Sequence, residues 1–192
     1  MGAHIGSFST AAQAIFPNAI FHLIEPQPAC SAPLRKLCSE KQGFVFHERA
    51  LAEKEGHICL TRTLEPNTGA HITSDTENAI AVEATTLDAL FGSVTQDDRP
   101  LLKLDLQGYE LHALRGGTTF LRSVEAILTE VSFFAQAYEP PIAALVSFLD
   151  ERGFQLYDIA SLAGRTRDNR LHQGDFLFVR AGSQLLEDSR WE

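Results

Sequence analysis

The first residues whose types and spacing suit chemistry are two glycines and a glutamate near the start of the chain. Gly2-Ala3-His4-Ile5-Gly6 precedes a predicted helix, and Glu25 ends the next predicted strand. At the carboxyl ends of parallel strands, glycines let a ligand approach the backbone, and an acidic residue about 20 positions on accepts hydrogen bonds from ribose hydroxyls. A turn before a helix also uses glycines, so the loop alone leaves both interpretations open. Its pairing with Glu25-Pro26 favours a binding site.

The glycine spacing of this loop is G-x-x-x-G, whereas dinucleotide-binding loops have G-x-G-x-x-G. A pyrophosphate is therefore less well matched than a nucleoside without one, such as S-adenosylmethionine. His4 lies inside the loop and is the one histidine that we single out as a ligand contact. The histidines have neither H-x-H nor H-E-x-x-H spacing, and we expect no metal site built on them.

A second group of chemical side chains follows two later strands. Asp105 ends one predicted strand and enters a glycine turn, and Glu130 lies in the next strand within an apolar run. A carboxylate at such an edge can orient or deprotonate a hydroxyl or help to hold a metal ion. Alternatively, Asp105 caps the turn and Glu130 accepts one backbone hydrogen bond. Because charged residues are rarely buried without a partner or a role, we predict that the two form a catalytic carboxylate pair.

Helices and strands that alternate along the chain must position these residues. Apolar periodicity predicts helices over 7–16, 32–41, 87–91, 110–121 and 142–152, and strands over 19–24, 44–51, 57–63, 79–84, 101–106, 126–133, 155–159 and 176–179. Polar loops are predicted over 65–78 and 164–174. This order predicts an α/β fold with a mostly parallel central sheet, helices on both faces and an antiparallel C-terminal hairpin. We expect one domain over residues 1–192.

The composition of the chain indicates where the protein is located and what kind of partner it binds. No segment approaches the roughly 20 apolar residues of a membrane helix, and no secretory signal pattern is visible, which favours a cytoplasmic protein. The three cysteines have no C-x-x-C spacing, so we expect reduced thiols. A net charge of -9 opposes the phosphate attraction that nucleic-acid binding requires. A small-molecule substrate is the expected partner, and the oligomeric state stays open.

These blocks together resemble FkbM-type methyltransferases. The resemblance rests on the glycine loop, Glu25-Pro26, Thr86-Leu87-Asp88, Glu130 and above all Leu102–Glu110, in the same order and over nearly the whole chain. It implies a Rossmann-like class I fold that moves a methyl group from S-adenosylmethionine to a hydroxyl of a sugar or secondary metabolite.

The resemblance also assigns cofactor contacts. It implies that Gly2, His4 and Gly6 contact the methionine side of S-adenosylmethionine, that Glu25 binds the ribose, and that Ala50 and Leu51 lie by the adenine.

Two positions depart from the family pattern. Gln107 stands where the family often has an acidic residue, and only Met1 precedes the glycine loop where family members have an apolar strand. We expect an upstream, in-frame segment to supply that strand, which the sheet otherwise lacks. Two other functions remain open: a non-catalytic remnant that serves as a binding module, and an NAD-dependent oxidoreductase.

Overall fold

The computed structural model describes residues 2–134, 141–188 and 190. The chain divides into two compact units, Met1–Thr86 and Leu87–Glu192, and each is described by itself. The organisation of residues 1–192 as one methyltransferase domain stays a prediction.

A parallel pair of strands with helices beside it opens the first unit. Its elements are α1 (Ser7–Gln13), β1 (Phe21–Ile24), α2 (Pro28–Glu40) and β2 (Phe44–His47). β1 and β2 pair in parallel, and the apolar face of α2 packs on them. α2 starts four residues earlier than predicted because Pro28, whose fixed φ suits the first turn of a helix, begins it.

A three-stranded sheet completes the first unit. β3 (Ala50–Leu51) pairs in parallel with β5 (Ala79–Thr85), whose other side pairs with β4 (Gly56–Thr61) in the antiparallel sense. The single strand predicted over 44–51 is wrong. The chain turns between β2 and β3, where the amide of Arg49 bonds the carbonyl of His47 at 2.9 Å.

The polar loop predicted over 65–78 is observed, with one bridge between Ile72 and Leu60. The buried amide of Gln27, just before α2, holds this loop: its Oε1 accepts a hydrogen bond from the Asn67 amide at 3.1 Å. The start of α2 and the loop are thereby tied together.

The second unit contains the carboxylates of interest. Its first elements are α3 (Leu87–Phe91), β6 (Leu101–Leu104), α4 (Glu110–Arg115) and β7 (Ala126–Ser132). β6 and β7 pair in parallel. α4 ends at Arg115, six residues before its predicted end.

The early end of α4 has a packing reason. A Cβ on Gly117 would lie 2.8 Å from the side chain of Leu87. The glycines after α4 therefore let the chain pass close to α3, as a side chain there could not.

The second unit ends with α5 (Ile142–Asp150), β8 (Phe154–Arg165) and β9 (Leu171–Arg180). Its strand order is β6-β7-β9-β8, and β9 runs antiparallel to both of its neighbours. The predicted antiparallel hairpin is confirmed, but the loop predicted over 164–174 is wrong, because strand pairing continues to Arg165 and Leu171. Side chains of β8 after Phe154 are exposed on both faces, and pairing with β9 extends this strand six residues past its predicted end at residue 159.

The α/β class is confirmed, and the sheets are mixed rather than mostly parallel. Among the described strands, three pairings are parallel and three are antiparallel. Within the described ranges, no helix has the length and apolar character needed to cross a membrane.

Asp88 caps a turn of the second unit. Its Oδ1 accepts hydrogen bonds from the amides of Thr119 at 2.9 Å and Phe120 at 2.7 Å, where a short 3₁₀ helix (Phe120–Arg122) begins. We expect Asp88→Ala to lower the free energy of unfolding by about 1 to 2 kcal/mol, the scale of a lost helix cap, in urea denaturation. Asp97→Ala, at an exposed acidic residue, is the matched control and should change it by less than about 0.5 kcal/mol. Equal effects of the two changes would contradict the capping role.

Candidate functional site

The glycine loop lies at the carboxyl end of β1. The amide of Ala3 donates to the carbonyl of Ile24 at 3.1 Å, and the amide of His4 donates to Oε2 of Glu25 at 2.8 Å. The loop and the acidic residue that the sequence paired by spacing are therefore in direct contact.

Glu25 is buried, with only 3% of the residue exposed, and both of its carboxylate oxygens accept backbone hydrogen bonds. Its second oxygen, Oε1, takes the amide of Gln27 at 3.1 Å. A carboxylate offers about four acceptor positions, so two are left for hydroxyl donors of a ligand. Glu25 can thus anchor the loop and bind a diol with the same carboxylate.

Gly6 ends the loop in a conformation that favours glycine. Its φ is +85°, in the left-handed region, and a Cβ placed there would lie 2.3 Å from Cδ2 of Leu37 in α2. The loop can therefore approach α2 this closely only because residue 6 has no side chain.

A Gly6→Ala change should loosen this loop. The left-handed backbone alone costs an alanine about 1 to 2 kcal/mol of unfolding free energy, and the Leu37 side chain must also rotate away. We expect that loss in urea denaturation, together with weaker ligand binding. The double change Gly6→Ala with Leu37→Ala removes the steric part only. If it lost no more stability than Leu37→Ala alone, the strain at Gly6 would be disproved.

His4 offers the loop an unused polar atom. Its backbone φ is +49°, and its Nε2 atom is buried with no hydrogen-bond partner among the described residues. Buried polar groups are normally paired, so an unpaired ring nitrogen in the loop that contacts Glu25 is a position where a ligand's polar group can bind.

Ala50 and Leu51 lie elsewhere in the first unit. They form β3, in a different sheet from β1, and both side chains are buried. Ala50 packs against Leu60 and Val82 in a small apolar core. Their contact with an adenine stays a prediction.

The second unit brings Asp105 and Glu130 together. Asp105 directly follows β6, Glu130 lies on the neighbouring strand β7, and one side chain joins them. Nε2 of Gln107 donates to Oδ1 of Asp105 at 3.1 Å and to Oε2 of Glu130 at 3.3 Å. The carboxylate pair that the sequence predicted is therefore linked by an amide.

Each carboxylate has a further partner. Oδ2 of Asp105 is 2.7 Å from the ammonium of Lys103, whose side chain is only 15% exposed. Oε1 of Glu130 accepts a hydrogen bond from the amide of Gln173 on β9. Asp105 thus has a cation beside it, and Glu130 has two amides.

The surroundings of Glu130 favour its protonated form. Burial first, and then the negative charges of Asp105, Glu110 and Asp175, raise the pKa of its carboxyl from 4.5 to about 7, against a smaller lowering by Lys103. Asp175 lies directly opposite Glu130 across the β7–β9 pair. A carboxyl that titrates near neutral pH is suited to proton transfer.

Glu110 has a structural role in this turn. Its side chain is buried, and its Oε1 accepts the amide of Leu106 at 2.5 Å, which closes the turn between β6 and α4. Beside it, Glu130, Ser132, Ile142 and Leu145, among others, line a shallow pocket of about 10 Å³, the space of a single water molecule. Glu130 therefore borders a small opening of the second unit.

Sequence reasoning missed Gln107 and Gln173 as site residues. Neither side chain titrates, and Gln173 falls in a stretch that was predicted to be a loop. Gln107 could have been identified from the sequence by its position alone, since it lies between Asp105 and Gly108 in the turn that enters α4.

Comparison with known proteins supports the sequence resemblance. The family model of the methyltransferase FkbM domain matches residues 1–156. No curated protein matches the chain.

Solved structures include a similar fold. The FkbM methyltransferase from Methylobacillus flagellatus aligns with a TM-score of 0.55 and 16% identity, over 91% of this chain and 41% of that one. At this identity the likeness shows the fold alone, and the chain spans 41% of that protein's length. A pericyclic reaction enzyme is 12% identical and aligns with a TM-score of 0.42, over 94% of this chain and 42% of that one. LepI in complex with SAM is 11% identical and aligns with a TM-score of 0.41, over 94% of this chain and 41% of that one. At these TM-scores the likeness carries no argument.

Proposed function

Because the chain belongs to the FkbM methyltransferase family, we propose that it transfers a methyl group from S-adenosylmethionine to a hydroxyl oxygen of a small molecule, a sugar or a secondary metabolite. The observation that carries this proposal is the carboxylate pair: Glu130, a half-buried carboxyl with a pKa of about 7, is joined to Asp105 through the amide of Gln107.

The loop at β1 fits the cofactor. The buried, unpaired Nε2 of His4 and the two remaining acceptor positions of Glu25 offer contacts for a charged amino-acid end and for a ribose diol. Gly2 and Gly6 allow close approach of the backbone, and we assign Ala50 and Leu51 to the adenine. When bound, S-adenosylmethionine supplies a methyl group on a positively charged sulfur.

We assign proton removal to the carboxylate pair. Glu130 is the better general base of the two, because its pKa lies near neutral pH, whereas Asp105 has the Lys103 ammonium at 2.7 Å. Asp105 assists Glu130, because its negative charge raises the pKa of the Glu130 carboxyl. Glu130 would take the proton of the acceptor hydroxyl, and bound S-adenosylmethionine would supply the methyl group through cleavage of its sulfur–methyl bond and leave as S-adenosylhomocysteine.

The finer structural assignments belong to the same proposal. We propose a Rossmann-like class I methyltransferase fold, which the TM-score of 0.55 to a family member supports. The single domain over residues 1–192 and the cytoplasmic location also stay proposals.

The test is release of S-adenosylhomocysteine. We expect the chain, given S-adenosylmethionine and a panel of sugars and polyketide alcohols, to release it with at least one hydroxyl acceptor and not with the matching methyl ether. Binding of S-adenosylmethionine without turnover on any acceptor would favour a non-catalytic binding module. Binding of a nicotinamide cofactor instead would favour an oxidoreductase.

A further inference from the structure

The amide of Gln107 lies between two carboxylates. A single nitrogen, Nε2, is 3.1 Å from an oxygen of Asp105 and 3.3 Å from an oxygen of Glu130. A side-chain amide nitrogen carries two hydrogens, so one donor group can serve both carboxylates at once. One neutral amide group thereby joins the two acidic side chains.

The backbone of Gln107 does not explain why a glutamine stands there. Its φ is +53°, in the left-handed region, and the next residue, Gly108, also has a positive φ. Glycine adopts this conformation without steric cost, and a glutamine does not. Position 107 therefore has a long side chain although its backbone conformation favours glycine. The contact that accounts for this side chain is the bridge between the two carboxylates.

The charges around Glu130 oppose its ionisation. Asp105 and Lys103 face it from the β6 side, Glu110 from α4 and Asp175 from β9. Three carboxylates thus oppose its ionisation, and the single ammonium among them is bonded to Asp105. Hydrogen bonds to the charged form of a carboxyl favour that form, and the amides of Gln107 and Gln173 supply them.

We propose that Gln107 is a positioning residue for proton transfer: it links Asp105 to Glu130 through one amide nitrogen, fixes the direction of the Glu130 carboxylate and lets that carboxylate ionise beside Asp105. The link itself follows from the geometry. Its importance for methyl transfer rests on the proposed function, in which Glu130 is the base.

The test compares three variants by one measurement. Gln107→Gly keeps the left-handed backbone and removes the bridge, and Gln107→Glu keeps the length of the side chain and replaces the donor by an acceptor. Asn169→Gly is the matched control, because Asn169 has a φ of +67° in the turn between β8 and β9. The readout is the titration midpoint of the Glu130 carboxyl carbon by ¹³C NMR, assigned with Glu130→Gln.

We expect Gln107→Gly to raise this midpoint by about one pH unit or more, with a thermal unfolding midpoint that is unchanged or higher. Gln107→Glu should raise it further, since a third carboxyl then faces the pair, and Asn169→Gly should leave it unchanged. A midpoint that stays the same in Gln107→Gly would overturn the proposal, whatever Gln107→Glu does, because an added negative charge raises the midpoint in any case. If Gln107→Gly does not fold, Gln107→Met, which keeps the length of the side chain with neither charge nor donor, takes its place.

The NMR titration needs no methyl transfer, so the two proposals fail separately. A shifted midpoint in a chain that releases no S-adenosylhomocysteine with any acceptor would refute the proposed function and support the bridge. An active chain whose Glu130 midpoint ignores Gln107 would refute the bridge alone.

Discussion

Replacing Glu130 by glutamine should lower methyl transfer at pH 7 by about 100-fold or more, the usual contribution of a general base. Glutamine keeps the shape of the side chain and cannot accept the proton. S-adenosylmethionine affinity should stay within a few-fold. Glu151→Gln, an exposed glutamate at the end of α5, is the matched control and should keep full turnover. Full activity of Glu130→Gln would remove Glu130 from the chemical step.

Methyl transfer should also depend on pH, with turnover falling on the acidic side. Glu130 must be ionised to act as a base, and its pKa is about 7, so turnover should fall as the pH drops below about 7. Removing the charge of Asp105 with Asp105→Asn should lower the pKa of Glu130, and the fall should then begin at a lower pH. An acidic limb that does not move in Asp105→Asn would contradict the coupling of the two carboxylates.

The same carboxyl should reduce stability at high pH. In the folded chain Glu130 has its pKa raised from 4.5 to about 7, so between these values the folded state binds more protons than the unfolded state. The free energy of unfolding therefore falls as the pH rises through that window. Because the side chain is partly solvated, we expect Glu130→Gln to gain only about 1 to 2 kcal/mol over the native chain at pH 8, and little at pH 4.

Replacing Glu25 by alanine should weaken S-adenosylmethionine binding at least tenfold. Two charge-assisted hydrogen bonds to a ribose diol would be lost, each worth about 1.5 to 3 kcal/mol. The amides of His4 and Gln27 would also lose their acceptor, so the loop itself would loosen. Binding is measured by calorimetry.

A matched carboxylate separates these effects from a general change of charge. Glu48 is exposed, lies in the same unit, and bonds Ser31 and Arg35 at 2.5 Å each. Glu48→Ala should therefore leave S-adenosylmethionine affinity unchanged. If both variants bound the cofactor as the native chain does, Glu25 would not be part of the site.

The sequence predicted two residue pairings that the structure shows as contacts. Gly6 and Glu25 were paired because ligand-binding glycine loops are followed by an acidic strand end about 20 positions later in the sequence. In the structure, the amide of His4 in that loop donates a hydrogen bond to Glu25 at 2.8 Å. Asp105 and Glu130 were paired because they follow or lie in strands expected to be neighbours, and β6 and β7 are neighbours.

The rest depended on packing that periodicity does not show. The early end of α4 follows from the contact of Gly117 with Leu87, residues far apart in sequence. β8 extends past its predicted end because it pairs with β9 as far as Arg165, while its side chains beyond Phe154 are exposed. Gln173 became a neighbour of Glu130 only once β9 was seen to extend to Leu171. Each of these features depends on long-range contacts, which a local pattern does not encode.

Calorimetric titration of the chain with S-adenosylmethionine tests the central claim most directly. We expect one molecule bound per chain, with affinity lost at least tenfold in Glu25→Ala and kept in Glu130→Gln and Glu48→Ala. A folded chain that binds no S-adenosylmethionine would contradict the account.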